Sequence, residues 1–115
     1  MTLKILHNPR CSKSRQTLAL LREKGHEPLV QEYLKTPPTT AELDDILNRL
    51  GLEPRALIRR QEAEYKDNGL DNPDLDRDAL IAAMVRHPRL IERPIVLNDD
   101  KAALGRPPEA VLDIL

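Results

Sequence analysis

The residues best suited to chemistry are collected in one stretch, His7-Asn8-Pro9-Arg10-Cys11-Ser12-Lys13-Ser14-Arg15, which holds the single cysteine of the chain. It falls where an apolar strand pattern ends and a helical one starts. Leu3, Ile5 and Leu6 give a short buried-strand pattern that Pro9 breaks. From Ser14 the spacing predicts a helix with Thr17, Leu18 and Leu21 on one face, stopped by Gly25. A thiol at a helix start lies beside unpaired backbone N–H groups and the positive end of the helix dipole, which favour thiolate over thiol. Arg10, Lys13 and Arg15 add positive charge, poor surroundings for a cysteine that merely fills a core. A reactive sulfur anion is the expectation.

Three arginines adjoin structural breakpoints rather than the middle of a helix face. Arg59 ends a short helical pattern, Arg93 precedes Pro94 and a strand, and Arg106 stands between Gly105 and Pro107. A guanidinium is a planar fork of donors suited to tetrahedral oxyanions such as phosphate, sulfate or arsenate. Several beside a thiolate would stabilise it and gather an oxyanion for attack. Taken singly, each arginine reads more readily as a solvated surface residue. His7, at the end of the first strand, is compatible with a structural histidine or with one that tunes the thiol. Ser14, three residues after Cys11, is placed to hydrogen-bond the sulfur. In two-cysteine redox motifs a resolving thiol holds that place, so here it must come from another molecule. One cysteine and three scattered histidines make no zinc constellation, so no metal is expected.

The elements that must position these groups read in the order β-α-β, helices, β-β-α. A second strand is expected at Leu29 to Tyr33. Thr39-x-x-Glu42 forms a capping box for a helix carrying Leu43, Ile46, Leu47 and Leu50. Pro54 starts a short helix to Arg60. Gln61 to Asp76 is a polar connection with one helical turn, and Asp76 caps a helix through Leu80, Ile81, Met84 and Val85, ended by His87-Pro88. Ile95-Val96-Leu97 and Lys101 to Leu104 form a hairpin about Asn98-Asp99-Asp100, and Pro107-Pro108-Glu109 opens a last helix. A mixed four-stranded sheet with helices packed on it accommodates this order, an α/β class of thioredoxin-like plan.

At 115 residues the chain is read as one domain, residues 1–115. Its 18 Lys and Arg balance 19 Asp and Glu, and two tyrosines are its only aromatics, which argues against nucleic-acid binding. No signal peptide or membrane span is expected, and one cysteine suits a reducing, cytoplasmic setting.

The cysteine stretch, Arg55-Ala-Leu-Ile-Arg59, Ile91-Glu92-Arg93-Pro94-Ile95-Val96 and Gly105-Arg106-Pro107-Pro108-Glu109 together resemble the glutaredoxin-coupled arsenate reductase family, in register from Leu3 to Leu115. The resemblance implies a thioredoxin-like fold with a helical insertion between the N-terminal βαβ and C-terminal ββα parts. It implies Cys11 as nucleophile, Arg59, Arg93 and Arg106 as oxyanion ligands, and His7, Ser14 and Arg15 as thiol-supporting residues. Pro94 matches the proline that is cis in such folds. The implied reaction reduces arsenate to arsenite with glutathione as co-substrate, glutaredoxin as partner and no bound cofactor. Arg10, Ser12 and Lys13 flank the cysteine where well-studied members carry small residues, which marks a subgroup. Two other readings share the fold: an Spx-like regulator binding RNA polymerase, and a thiol-handling reductase with another substrate. Spx-type chains usually carry Cys-x-x-Cys without the arginine set, so Ser14 and the three arginines favour the enzyme.

Overall fold

The computed structural model describes residues 2–115, which form two compact units. The first joins the segment up to Thr36 with Arg93–Leu115; the second is Pro37–Glu92.

The first unit is built on four strands, β1 (Leu3–His7), β2 (Leu29–Glu32), β3 (Ile95–Asn98) and β4 (Lys101–Leu104), in the spatial order β2-β1-β3-β4. β1 runs parallel to β2 and antiparallel to β3, and β3 and β4 form the expected hairpin. The sheet is therefore mixed, as the βαβ start and ββ ending require. Flanked on both sides, β1 buries Leu3, Ile5, Leu6 and His7, the near-continuous burial of a central strand. The hairpin turns at Asp99, whose φ of 53° lies in the left-handed region that Asn and Asp tolerate. Helix α1 (Ser12–Glu23) connects β1 to β2, and Leu18 and Leu21 join Leu3, Ile5, Val96 and Val111 in one buried cluster. Val111 comes from the closing segment, Pro108–Ile114, which covers the same sheet face as α1. That segment is 3-10 rather than the α-helix expected. Pro107 is its N-cap and Pro108 its first residue, and seven residues suffice to seat Val111.

The second unit is helical: α2 (Thr40–Leu50), α3 (Pro54–Leu57), α4 (Ala63–Asp67), α5 (Arg77–Arg86) and a 3-10 turn, Pro88–Leu90. The capping box is present in full, with Thr39 Oγ1 accepting from the Glu42 N–H and Glu42 Oε1 accepting from the Thr39 N–H. Gly51 ends α2 at φ 67°, and Asp76 caps α5 through the Ala79 N–H. α5 packs on α2, α3 and the 3-10 turn, with Leu43, Leu47, Leu57, Met84 and Leu90 fully buried. The helix expected from Pro54 to Arg60 stops at Leu57. Ile58 is instead extended and bridges antiparallel to Ile91, which suits a β-branched residue better than a helix end. Arg59 thus leaves a strand-like bridge, not a helix.

Candidate active site

Helix α1 begins two residues earlier than the apolar spacing suggests, and this shift makes Cys11 its N-cap. Cys11 is extended, at φ −96° and ψ 123°, and its carbonyl accepts the first helical bond from the Arg15 N–H. The sulfur makes no capping hydrogen bond, so Ser12, Lys13 and Ser14 point their N–H groups forward without an intrahelical acceptor. An anion at Cys11, whether its thiolate or a bound oxyanion, meets these donors and the helix dipole together. Cys11 is a free thiol and nearly buried, whereas Arg10, Ser12 and Lys13 are exposed.

The loop before the helix is held by side chains expected to support the thiol, and by one that was not. Asn8 organises the turn: its side-chain Oδ1 accepts from the Arg10 N–H and its carbonyl from the Cys11 N–H, each at 3.0 Å. An Asn-Pro pair is a turn signal, so this role was readable from sequence although it was not assigned there. Arg15 Nη1 donates to the Pro9 carbonyl at 2.9 Å and ties the first helical turn back over the loop. Ser14 is fully buried. Its Oγ accepts from the Asn8 N–H at 3.0 Å and is hydrogen-bonded to His7 Nδ1 at 2.6 Å, with the donor set by the His7 tautomer.

Burial holds the His7 imidazole below its ordinary pKa, and Arg22 and Arg15 push the same way while Glu32 opposes them. An unfolded histidine titrates near 6.5, so the unfolded chain binds more protons just below that pH than the fold does. The stabilisation from neutral, buried His7 is complete above about pH 6.5 and is lost as the pH falls towards the lower folded value. Replacing His7→Gln removes this dependence. Wild-type protein is expected to melt higher than the variant at pH 7.5, with the gap narrowing at pH 5.5; a gap that is the same at both pH values would contradict the assignment.

Register carries Arg93 and Arg106 to the same end of the sheet. Ile95 pairs with Leu6 on one side and Leu104 on the other, so Arg93-Pro94 lies beside the end of β1 and opposite Gly105-Arg106. The Gly105 N–H donates to the Pro94 carbonyl and Arg106 Nε to the Arg93 carbonyl, both at 2.9 Å. The Arg93–Pro94 bond is cis as the resemblance implied, and Arg106–Pro107 is cis as well. Arg93 buries Nε and Nη1, whereas Arg106 is exposed. Gly105 was not singled out in the sequence, although glycine beside a chemistry-bearing arginine is the signal of a close approach. A Cβ there would lie 2.5 Å from Thr17 Oγ1 and 2.6 Å from Pro94 Cγ.

The first unit therefore gathers Cys11, His7, Ser14, Arg15, Arg93 and Arg106 at one sheet end. Arg59 belongs to the second unit. Its backbone N–H donates to the Leu90 carbonyl at 2.7 Å, and its guanidinium meets Glu62 and Glu92. Among the described residues no group of His, Cys, Asp and Glu could hold a metal ion, and no helix is long and apolar enough to cross a membrane.

A model of the ArsC family matches residues 6–114. The chain is 54% identical over 114 residues to an arsenate reductase of Neisseria meningitidis, covering 98% of this chain and 97% of that one. It is 49% identical over 116 residues to an arsenate reductase of Haemophilus influenzae, with both chains fully covered. Among solved structures, an arsenate reductase from Vibrio cholerae superposes with a TM-score of 0.97 at 52% identity, over 100% of this chain and 98% of that one.

Proposed function

The chain belongs to the ArsC family, and we propose on that premise that it is a glutathione- and glutaredoxin-dependent arsenate reductase with Cys11 as its nucleophile. The observation that carries the reading is Cys11 at the N-cap of α1, on the sheet end that also bears Arg93 and Arg106. A thiolate at a helix start and guanidinium donors form a site for attack on an oxyanion.

In this reading Arg59, Arg93 and Arg106 bind the arsenate oxygens, and the first-turn N–H groups of α1 receive negative charge. The Cys11 thiolate attacks arsenic(V), a sulfur–arsenic bond forms and an oxygen leaves as water after protonation. Glutathione supplies the second thiol. Arsenic takes up two electrons as the two sulfurs join, so arsenic acid, Cys11 thiol and glutathione become arsenous acid, a Cys11–glutathione disulfide and one water. Glutaredoxin then exchanges thiols with that disulfide and restores Cys11. The chain has no second cysteine to do this itself. Ser14 and His7 are hydrogen-bonded behind the loop and keep its geometry, and Arg15 fastens it. No step calls for a metal or organic cofactor, and thiols of this kind suit the cytoplasm.

The deciding assay is arsenate-dependent NADPH oxidation with glutathione, glutathione reductase and glutaredoxin supplied. Turnover that stops when glutaredoxin is omitted is the expected result. No turnover from a protein whose Cys11 still alkylates readily would reject arsenate as substrate. It would turn attention to another oxyanion or to a regulatory partner.

A further inference from the structure

Arg59 sits in a network of charge that its proposed role does not by itself require. Its backbone is pinned by the Ile58–Ile91 bridge, by its own N–H on the Leu90 carbonyl, and by the Glu92 N–H on the Leu57 carbonyl. Its guanidinium is then held by carboxylates. Nη1 donates to Glu62 Oε1 at 2.5 Å, and Nε lies 3.8 Å from Glu92 Oε1. Glu62 is in turn held from its other side, with Oε2 accepting from Arg89 Nη2 at 3.3 Å, while Arg89 Nε faces Glu64 at 3.8 Å. The Arg59 and Glu62 side chains are only 20% and 16% exposed, so this pair is better shielded than a surface ion pair.

We propose that Glu62, braced by Arg89, is a positioning residue that fixes the Arg59 guanidinium with Nη2 left to donate to a bound oxyanion. The inference rests on Arg59 acting as an oxyanion ligand, as argued above. A free arginine loses much rotamer freedom when it grips a ligand, and one already held in a plane loses less. A carboxylate next to an anion site would ordinarily oppose binding. Here Glu62 is shared between two guanidinium groups, and although Glu92 and Glu64 also face them, its bond to Nη1 is the short contact that fixes the plane of Arg59. Glu62 therefore orients Arg59 more than it competes for it.

The test compares wild type with Glu62→Ala, Glu62→Gln, Arg89→Ala and Arg59→Ala. It measures arsenate Kd by calorimetry, KM and kcat in the coupled assay, and Tm. Glu62→Ala is expected to raise arsenate Kd and KM about tenfold with kcat within about twofold, as loss of ground-state positioning should. Glu62→Gln keeps volume and an amide oxygen for Nη1, so it should recover much of that loss; Arg89→Ala should shift Kd in the same direction by less. Tighter binding in Glu62→Ala would show a competitor instead. An unchanged Kd with a lowered Tm would show a purely structural pair, and either result overturns the proposal. An unchanged Kd in Arg59→Ala removes the premise and overturns it too. Wild type that binds arsenate without turnover would reject the reductase reading alone, and the variant Kd values would still judge Glu62.

Discussion

Cys11→Ser is expected to reduce arsenate turnover to background, a loss of about 10³-fold or more, without unfolding the protein. A serine hydroxyl at neutral pH is almost wholly protonated and a poor nucleophile, and it cannot form the mixed disulfide that regenerates the enzyme. The fold has no comparable dependence on the sulfur. Cys11 makes no capping bond, and its backbone N–H and carbonyl already bond to Asn8 and Arg15. Serine is moreover a favoured N-cap residue. The variant should therefore melt within a few degrees of wild type, at or slightly above it, while its activity in the glutaredoxin-coupled assay disappears. Turnover that survives in a folded Cys11→Ser protein would end the nucleophile assignment. The pairing of lost activity with a retained Tm separates a chemical role from a structural one.

Local signals made the cysteine loop readable because its chemistry is local. A strand ending at His7, a breaking proline and a helix after Cys11 are all properties of neighbouring residues. The capping box at Thr39, the Asp76 cap and the β3–β4 hairpin were legible for the same reason. Periodicity placed the first helix at Ser14 because the cap and first turn carry no apolar stripe; Cys11 as N-cap is set by φ, ψ and the Asn8 turn. Pro54 to Leu57 does form a helix, but Ile58 leaves it for Ile91, a partner 33 positions on that no local pattern announces. The arginines divide in the same way. Their identity could be read, and the hairpin register brings Arg93 opposite Arg106, yet of the carboxylates around Arg59 only Glu62 is a sequence neighbour, and Glu92 comes from a separated segment. Gly105 shows the limit most sharply, since its need for a hydrogen in place of a side chain is set by Thr17, far away in sequence.

That contact carries the second large expectation: Gly105→Ala should both destabilise the first unit and disable the arginine pair. The restriction is spatial, because Gly105 is absent from the positive-φ positions of the chain. A Cβ would meet Thr17 Oγ1 at 2.5 Å, Pro94 Cγ at 2.6 Å and Thr17 Cγ2 at 3.1 Å. Neither neighbour can swing aside. Thr17 is β-branched, fully buried and bonded through Oγ1 to the Lys13 carbonyl at 2.8 Å, and Pro94 is a buried ring. The backbone must move instead, which weakens the Gly105 N–H bond to Pro94 and draws Arg106 Nε from the Arg93 carbonyl. Overpacking of this kind costs about 1–3 kcal/mol, or roughly 5–15 °C in Tm for a chain of this size. Arsenate KM should rise about tenfold, because the two arginines proposed as oxyanion donors lose their setting together. Thr17→Ala removes both threonine atoms from the clash, so the double variant should be more stable than the sum of the two single losses, with a coupling of about 0.5–3 kcal/mol. Thermal melts and arsenate titrations of the four proteins decide the matter. Strict additivity, or a Gly105→Ala protein that melts and binds like wild type, would mean that the approach of β4 to α1 does not set the arginines.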